Sequence, residues 1–241
     1  MLPHRPISTT LLPTADAMIQ SRYASVSRPS GSEGFTLIEL LAVIAIIGIL
    51  AAILIPTVSA VRVSANKAKT KVQFNQWATA VEGFRSEYGY YPLLDASNRI
   101  NPAGQNTDPA ALHVFHDVLA AHRRNGDPLP AYGSGTGSGA PEAQNRKRIR
   151  FYSFGESDLA ANSLLRDAFD NTEIAILVDH NLDGVIRING TNADYAALPA
   201  VNGLTPTADD FSPAGVRAGV ILYAPAPGAT ADEPKFIFSW K

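Results

Sequence analysis

FTLIELLAVIAIIGILAAILIP occupies residues 35–56, and its reading decides the architecture of the chain. From Leu40 to Val61 there are 22 residues without a charge. At about 1.5 Å rise per residue, a helix of that length crosses a hydrocarbon layer of roughly 30 Å. A buried core helix rarely runs beyond about 14 residues without a polar face, so the stretch reads as a membrane segment. Pro56, near its far end, removes one backbone hydrogen bond and loosens or kinks the helix; Gly48 is a second soft point. Glu39 lies one turn inside the apolar run, where a lone carboxylate costs at least about 2.5 kcal/mol unless it is neutralised. Gly34 stands immediately before the hydrophobic start. Cleavage between Gly34 and Phe35 would create a partner, because the new ammonium of Phe35 would lie at the depth of a neighbour's Glu39.

Composition agrees with one concentrated apolar element. Of 241 residues only 17% are charged, against about a quarter in an average soluble domain, while 46% are hydrophobic. A formal charge of -2 gives no support to nucleic-acid binding, which calls for a basic domain. The absence of cysteine excludes disulfide frameworks, thiolate metal sites and a Cys nucleophile. Both methionines, Met1 and Met18, lie in the first eighteen residues, so Met18 is an alternative start. Residues 1–34 are polar and rich in Ser and Pro, unlike the short basic and apolar pattern of a secretory signal peptide.

The string Gly34, Phe35, Thr36, Leu37, Ile38, Glu39, with the apolar run through Pro56, resembles the processing and assembly signature of the type IV pilin superfamily, which includes the pseudopilins of type II secretion. The resemblance implies removal of residues 1–34 as a leader by a prepilin peptidase, which also methylates the exposed Phe35. It further implies docking guided by Glu39, self-assembly with other pilin-like subunits at an inner-membrane platform, and a head in the periplasm. Leu165 to Asn171, LRDAFDN, is similar to a stretch that precedes the sheet in major pseudopilins, with its Pro, Trp and Gly replaced. That similarity and the lack of cysteine favour a secretion pseudopilin as the main expectation. A type IV pilin or minor pilin for adhesion, motility or DNA uptake is the alternative.

Two signals oppose or compete with this reading. Arg62, Lys67, Lys69 and Lys71 follow the apolar run, and by the positive-inside rule they prefer the cytoplasm, whereas the family topology places them outside. Val58-Ser59-Ala60 and Val63-Ser64-Ala65 resemble signal-peptidase sites that would release a soluble exported binding domain.

Beyond the basic residues, Phe74, Trp77, Val81, Phe84 and Tyr88 recur at helical spacing, so one helix is expected over about 35–88, its second half amphipathic. Gly89 and Pro92 end it. The resulting expectation is an α+β chain: a leader over 1–34, a membrane and stalk helix over 35–90, and a head over 91–241 in which the helix packs on a C-terminal antiparallel sheet. A helix over 108–124 starts at Asp108-Pro109 and shows His113 and His116 at its surface, with His122, Arg123 and Arg124 at its C-terminus. Residues 125–145, rich in Gly, Ser and Pro, read as a mobile loop. Strands are expected at IRFYSF (149–154), Glu173–Asp179, Gly184–Ile188, about 216–224 and 235–240, the second and third joined by a hairpin at Asp183-Gly184.

That connection, Asp179-His180-Asn181-Leu182-Asp183-Gly184, also spells the beginning of a calcium loop, with Asp179, Asn181 and Asp183 as oxygen donors. An EF-hand's twelfth position would be Gly190, so the bidentate Glu is missing; a plain Asx turn explains the same residues. A calcium site in the C-terminal part is a group property that resemblance to major pseudopilins implies. His113 and His116 with Asp117 lack any third ligand motif, and no nucleophile elbow, HExxH, P-loop or dinucleotide fingerprint occurs, so no catalysis is expected.

Overall fold

The computed structural model describes residues 34–133, 137–207 and 209–241; of the expected leader over 1–34, all but Gly34 lies outside the described residues. Helix α1 runs from Leu37 to Tyr88, as the apolar run followed by the aromatic stripe predicts. α1 continues through Pro56, which has no N–H to donate, and the Thr57 hydroxyl back-bonds to the carbonyls of Ile53 and Leu54 at 3.2 and 2.8 Å. Nothing crowds a Cβ placed at Gly48. Gly89, at φ 82°, turns the chain out of the helix.

By its contacts the chain divides into residues 1–50 and 51–241. Within the second unit, α1 packs against a three-stranded antiparallel sheet of β1 (Ala175–Val178), β2 (Val220–Pro225) and β3 (Phe236–Phe238), in the order β1-β2-β3. The register pairs Ala175 with Tyr223 and Val178 with Val220, then Tyr223 with Phe238. Phe74, Trp77, Val81 and Phe84 of α1 are completely buried against the face carrying Ile176, Val178, Val220 and Leu222. The opposite face, with Leu177, Ile221 and Tyr223, is covered by Ile186, Tyr195, Val201, Phe211 and Val216 from the loops. Both faces being covered, β1 and β2 read as unbroken apolar runs. Gly219 lets helix and sheet approach: a Cβ there would sit 1.9 Å from Glu82 Oε1 and 2.2 Å from Tyr91 Oη, two atoms already joined by a hydrogen bond of 2.8 Å.

Several expected elements are replaced by side-chain caps. The helix expected over 108–124 shrinks to α2, Val114–Ala120. The Asp108 carboxylate accepts the Ala110 N–H in an Asx turn, the buried His113 caps the helix through Nδ1, and Ala121 at φ 61° ends it. His122, Arg123 and Arg124 therefore lie beyond it, and Arg124 ties together the carbonyls of Asn106, Asp108, Ala111 and Ser163. Within the expected mobile loop, Pro141–Gln144 forms the short helix α3, and the Gln144 amide clamps the main chain of Leu93 at 2.7 and 3.1 Å.

IRFYSF is no strand: the Phe151 and Tyr152 amides both donate to the carbonyl of Leu119, and the rings of Phe151 and Phe154 pack beside Phe84 and Trp77. Gly184–Ile188 makes only isolated bridges, Ile186 to Val216 and Ile188 to Tyr195, so the expected hairpin is absent. The reason lies at the free edge of β1. Asn98 and Ile100 exchange hydrogen bonds with Ile176 and Ile174, and the Tyr195 hydroxyl takes both main-chain groups of Val178 at 2.7 and 3.0 Å.

Trp77 meets Phe74, Phe115 and Phe154 at ring separations of 6.0, 5.8 and 6.1 Å and has no exposed surface. Trp77→Ala should cost about 3–5 kcal/mol and lower the head's Tm by roughly 10 °C, read by near-UV circular dichroism of the full chain in detergent. A fall under roughly 2 °C would contradict this packing.

Candidate functional site

The residues that sequence reasoning singles out at the start of α1 form one compact site. Gly34, Phe35 and Thr36 are non-helical, so the Gly34–Phe35 bond lies in a lead-in ahead of the first helical turn, and Phe35 is 83% exposed. The helix opens with Thr36 as cap and Glu39 at the third position. The Thr36 N–H and hydroxyl donate to Glu39 Oε2 at 2.8 and 2.7 Å, and the Glu39 N–H donates to Thr36 Oγ1 at 3.3 Å. This is a capping box, signalled by the T-x-x-E spacing, which the sequence reading passed over. It places the carboxylate among the unpaired amides of the helix N-terminus and leaves Glu39 Oε1 without a partner among the described residues.

Around this polar head the helix is apolar on every side. The ten Leu, Ile and Val residues between Leu37 and Leu50 are 47–76% exposed. Among the described residues α1 is the one helix long and apolar enough to cross a membrane. Gly48 and Pro56 lie further along α1, outside this constellation.

Asp179, Asn181 and Asp183 do share one loop, as the spacing predicts, and the geometry shows what their oxygens do. Asp179, fully buried, accepts the Asp183 and Gly184 amides at 3.3 and 2.7 Å. Asn181 Oδ1 also takes the Asp183 amide at 3.0 Å, Asp183 Oδ1 takes Val185 at 2.9 Å, and Asp183 Oδ2 pairs with the Arg187 guanidinium. That guanidinium is the leading reason the Asp183 carboxyl is held below its usual range. Among the described residues no group of three His, Cys, Asp or Glu converges as for a metal. The loop is knitted by consecutive Asx turns.

The histidines expected at the surface are buried. His113 Nε2 donates to Asn101 Oδ1 at 2.9 Å while Nδ1 accepts the His116 amide, which defines a neutral tautomer. Asn101 in turn holds the main chain at Leu165 and Thr172. His116 Nδ1 meets Asp117 Oδ1 at 2.9 Å. Burial, reinforced by the nearby Arg124 charge, pushes His113 down to about 3; burial also lowers His116, against the opposing pull of Asp117. The sequence shows the residue types but not the fold-back that encloses them.

Comparison with known proteins bears on the first site. The prokaryotic N-terminal methylation motif matches residues 29–55. The chain is similar to the type IV major pilin protein PilA of Myxococcus xanthus, with 35% identity over 104 residues, 43% of this chain and 46% of that protein. It thus spans about half the length of the curated relative it matches. No solved structure matches it.

Two outcomes follow for the head. His113 is neutral when folded and free to protonate when unfolded, so its stabilisation is present above about pH 6.5 and is lost as pH falls toward about 3. Stability should drop by on the order of 3 kcal/mol between pH 7 and pH 4, and His113→Gln should flatten that slope. A Tm that is level over this range would refute it. Calcium at millimolar concentration should leave the Tm unchanged; a rise abolished by Asp183→Ala would instead establish the metal site.

Proposed function

We propose that the chain is a structural subunit of a type IV pilin-like filament, cleaved after Gly34 and assembled through the apolar half of α1. The observation that carries the proposal is the junction itself: an accessible Gly34–Phe35 bond, then an apolar helix with one carboxylate in its first turn. The methylation motif over residues 29–55 supports processing by a prepilin peptidase, with methylation of Phe35. Before assembly Leu40–Val61 anchors the chain in the bacterial inner membrane, with the head in the periplasm; afterwards the same surface faces other subunits. Glu39 is placed for this exchange. Its Oε2 is held by Thr36, and Oε1 is available to a neighbour's Phe35 ammonium. The assembly platform and sister subunits are the partners, the work is mechanical, and no catalytic step is assigned.

Similarity to a protein named as a type IV major pilin favours a pilus over a secretion filament, reversing the order that the sequence alone suggests. The pseudopilin reading stands second.

Mass spectrometry of the mature chain should find N-methylated Phe35 at its amino terminus. Glu39→Val should leave processing intact while abolishing filaments under the electron microscope. A mature terminus at Val61 or Asn66 would replace this function with a released soluble domain. Surface fibres lost on deletion, with secretion intact, would assign the pilus; the converse would assign secretion.

A further inference from the structure

Arg62, Lys67, Lys69 and Lys71 follow directly on the uncharged run, and no Asp or Glu occurs between Glu39 and Glu82. All four are exposed. Lys71 Nζ donates to the main-chain oxygen of Lys241 at 2.6 Å, and the side chains of Arg62, Lys67 and Lys69 have no hydrogen bond or ion pair among the described residues. Residues 72–241, by contrast, hold 13 Lys and Arg against 19 Asp and Glu, a formal charge of -6. The positive charge is therefore segregated into one short length of helix.

Its distribution around the axis bears on the kind of partner it suits. At about 100° per residue, Arg62 and Lys69 stand on nearly the same side of α1, and Lys67 and Lys71 on nearly the opposite side. A site for a soluble anion gathers cations on one face; a ring faces a plane that the helix pierces. Depth agrees. Arg62 begins where the apolar run ends, the headgroup layer is about 5–8 Å deep, and the three lysines lie about 7–14 Å further on. Their stems can lower the ammonium groups toward phosphates, and the more distant ones act within roughly one Debye length. Phe169 and Pro227 of the head share a groove with Leu54, Val58 and Arg62, so the ring's first member sits at an apolar border. Asp170, next to Phe169, is already paired with Arg166 and does not neutralise it.

We propose that this ring binds the anionic phospholipid headgroups of the leaflet beneath the head; the proposal rests on the reading of Leu40–Val61 as membrane-spanning. It accounts for cations that the positive-inside rule would place in the cytoplasm: the lipid supplies their counter-charge. The ring sets the depth of the helix, and with it the level of Glu39, until the subunit leaves the bilayer.

The test uses the full chain reconstituted in phosphatidylcholine vesicles carrying traces of spin-labelled phosphatidylglycerol or spin-labelled phosphatidylcholine. The motionally restricted lipid at the protein should be enriched in phosphatidylglycerol by roughly threefold or more at low salt. The enrichment should vanish at 1 M sodium chloride, where the Debye length is about 3 Å, and in the variant with all four residues changed to Gln. Lys67→Arg, Lys69→Arg and Lys71→Arg together should preserve it. Protein stripped by an alkaline carbonate wash would defeat the membrane reading itself. Protein that resists the wash yet restrains both lipids equally would overturn only the ring's role. Selectivity kept in the Gln variant, with loss of cross-linking between copies, would assign the ring to a neighbour's acidic head and overturn the lipid proposal.

Discussion

The structure depends on a surface that the chain cannot cover by itself. Ten large aliphatic side chains from Leu37 to Leu50 stand 47–76% exposed, each forgoing about 1–2 kcal/mol of burial, on the order of 10 kcal/mol together. That is comparable with the roughly 5–15 kcal/mol that holds a typical domain folded. The sheet within residues 51–241 has its own covering on both faces. On the proposed function, lipid or neighbouring subunits supply the apolar environment of this helix, and Thr70, the first fully buried residue among the described side chains of α1, marks where the head's core begins, holding the Ala168 amide.

This division explains what was legible in the sequence. The first half of α1 is governed by composition and length, and its second half by a helical aromatic stripe; both are local signals, and α1 emerges within two residues of the expected start. β1, β2 and β3 are legible because two-sided burial leaves short runs of β-branched and aromatic residues. The misreadings share a cause. Aromatic IRFYSF and alternating Gly184–Ile188 have strand composition, yet the available edge of β1 is occupied by Asn98, Ile100 and the Tyr195 hydroxyl, partners remote in sequence. Likewise the helix expected over 108–124 loses its first turns to Asp108 and His113, polar side chains whose competition with the backbone depends on tertiary burial.

At the candidate site the same distinction holds. Gly34, Phe35 and Glu39 could be read because their pattern is contiguous, and Thr36 belonged to it as the capping partner of Glu39. The calcium pattern was equally visible but ambiguous, since the residues that ligate a cation are those that close Asx turns. Only the hydrogen-bond geometry shows the oxygens engaged with amides and Arg187.

The capping box also bears on how a subunit could leave a membrane for a filament. Lipid tails are as apolar as Leu and Ile, so moving the exposed helix from bilayer to neighbouring helices brings little hydrophobic gain. Packing contributes, but it does not select a register along a surface of repeating aliphatic side chains. A polar group can, because its cost in hydrocarbon is several times that of a misplaced methylene. Glu39 is the sole acid between Gly34 and Val81, and Thr36 holds one of its oxygens in a defined orientation. A helix displaced by one turn, about 5.4 Å, would leave Glu39 Oε1 facing aliphatic side chains instead of an ammonium. On the proposed function, the apolar residues therefore supply the environment, and the Thr36-held carboxylate supplies the register.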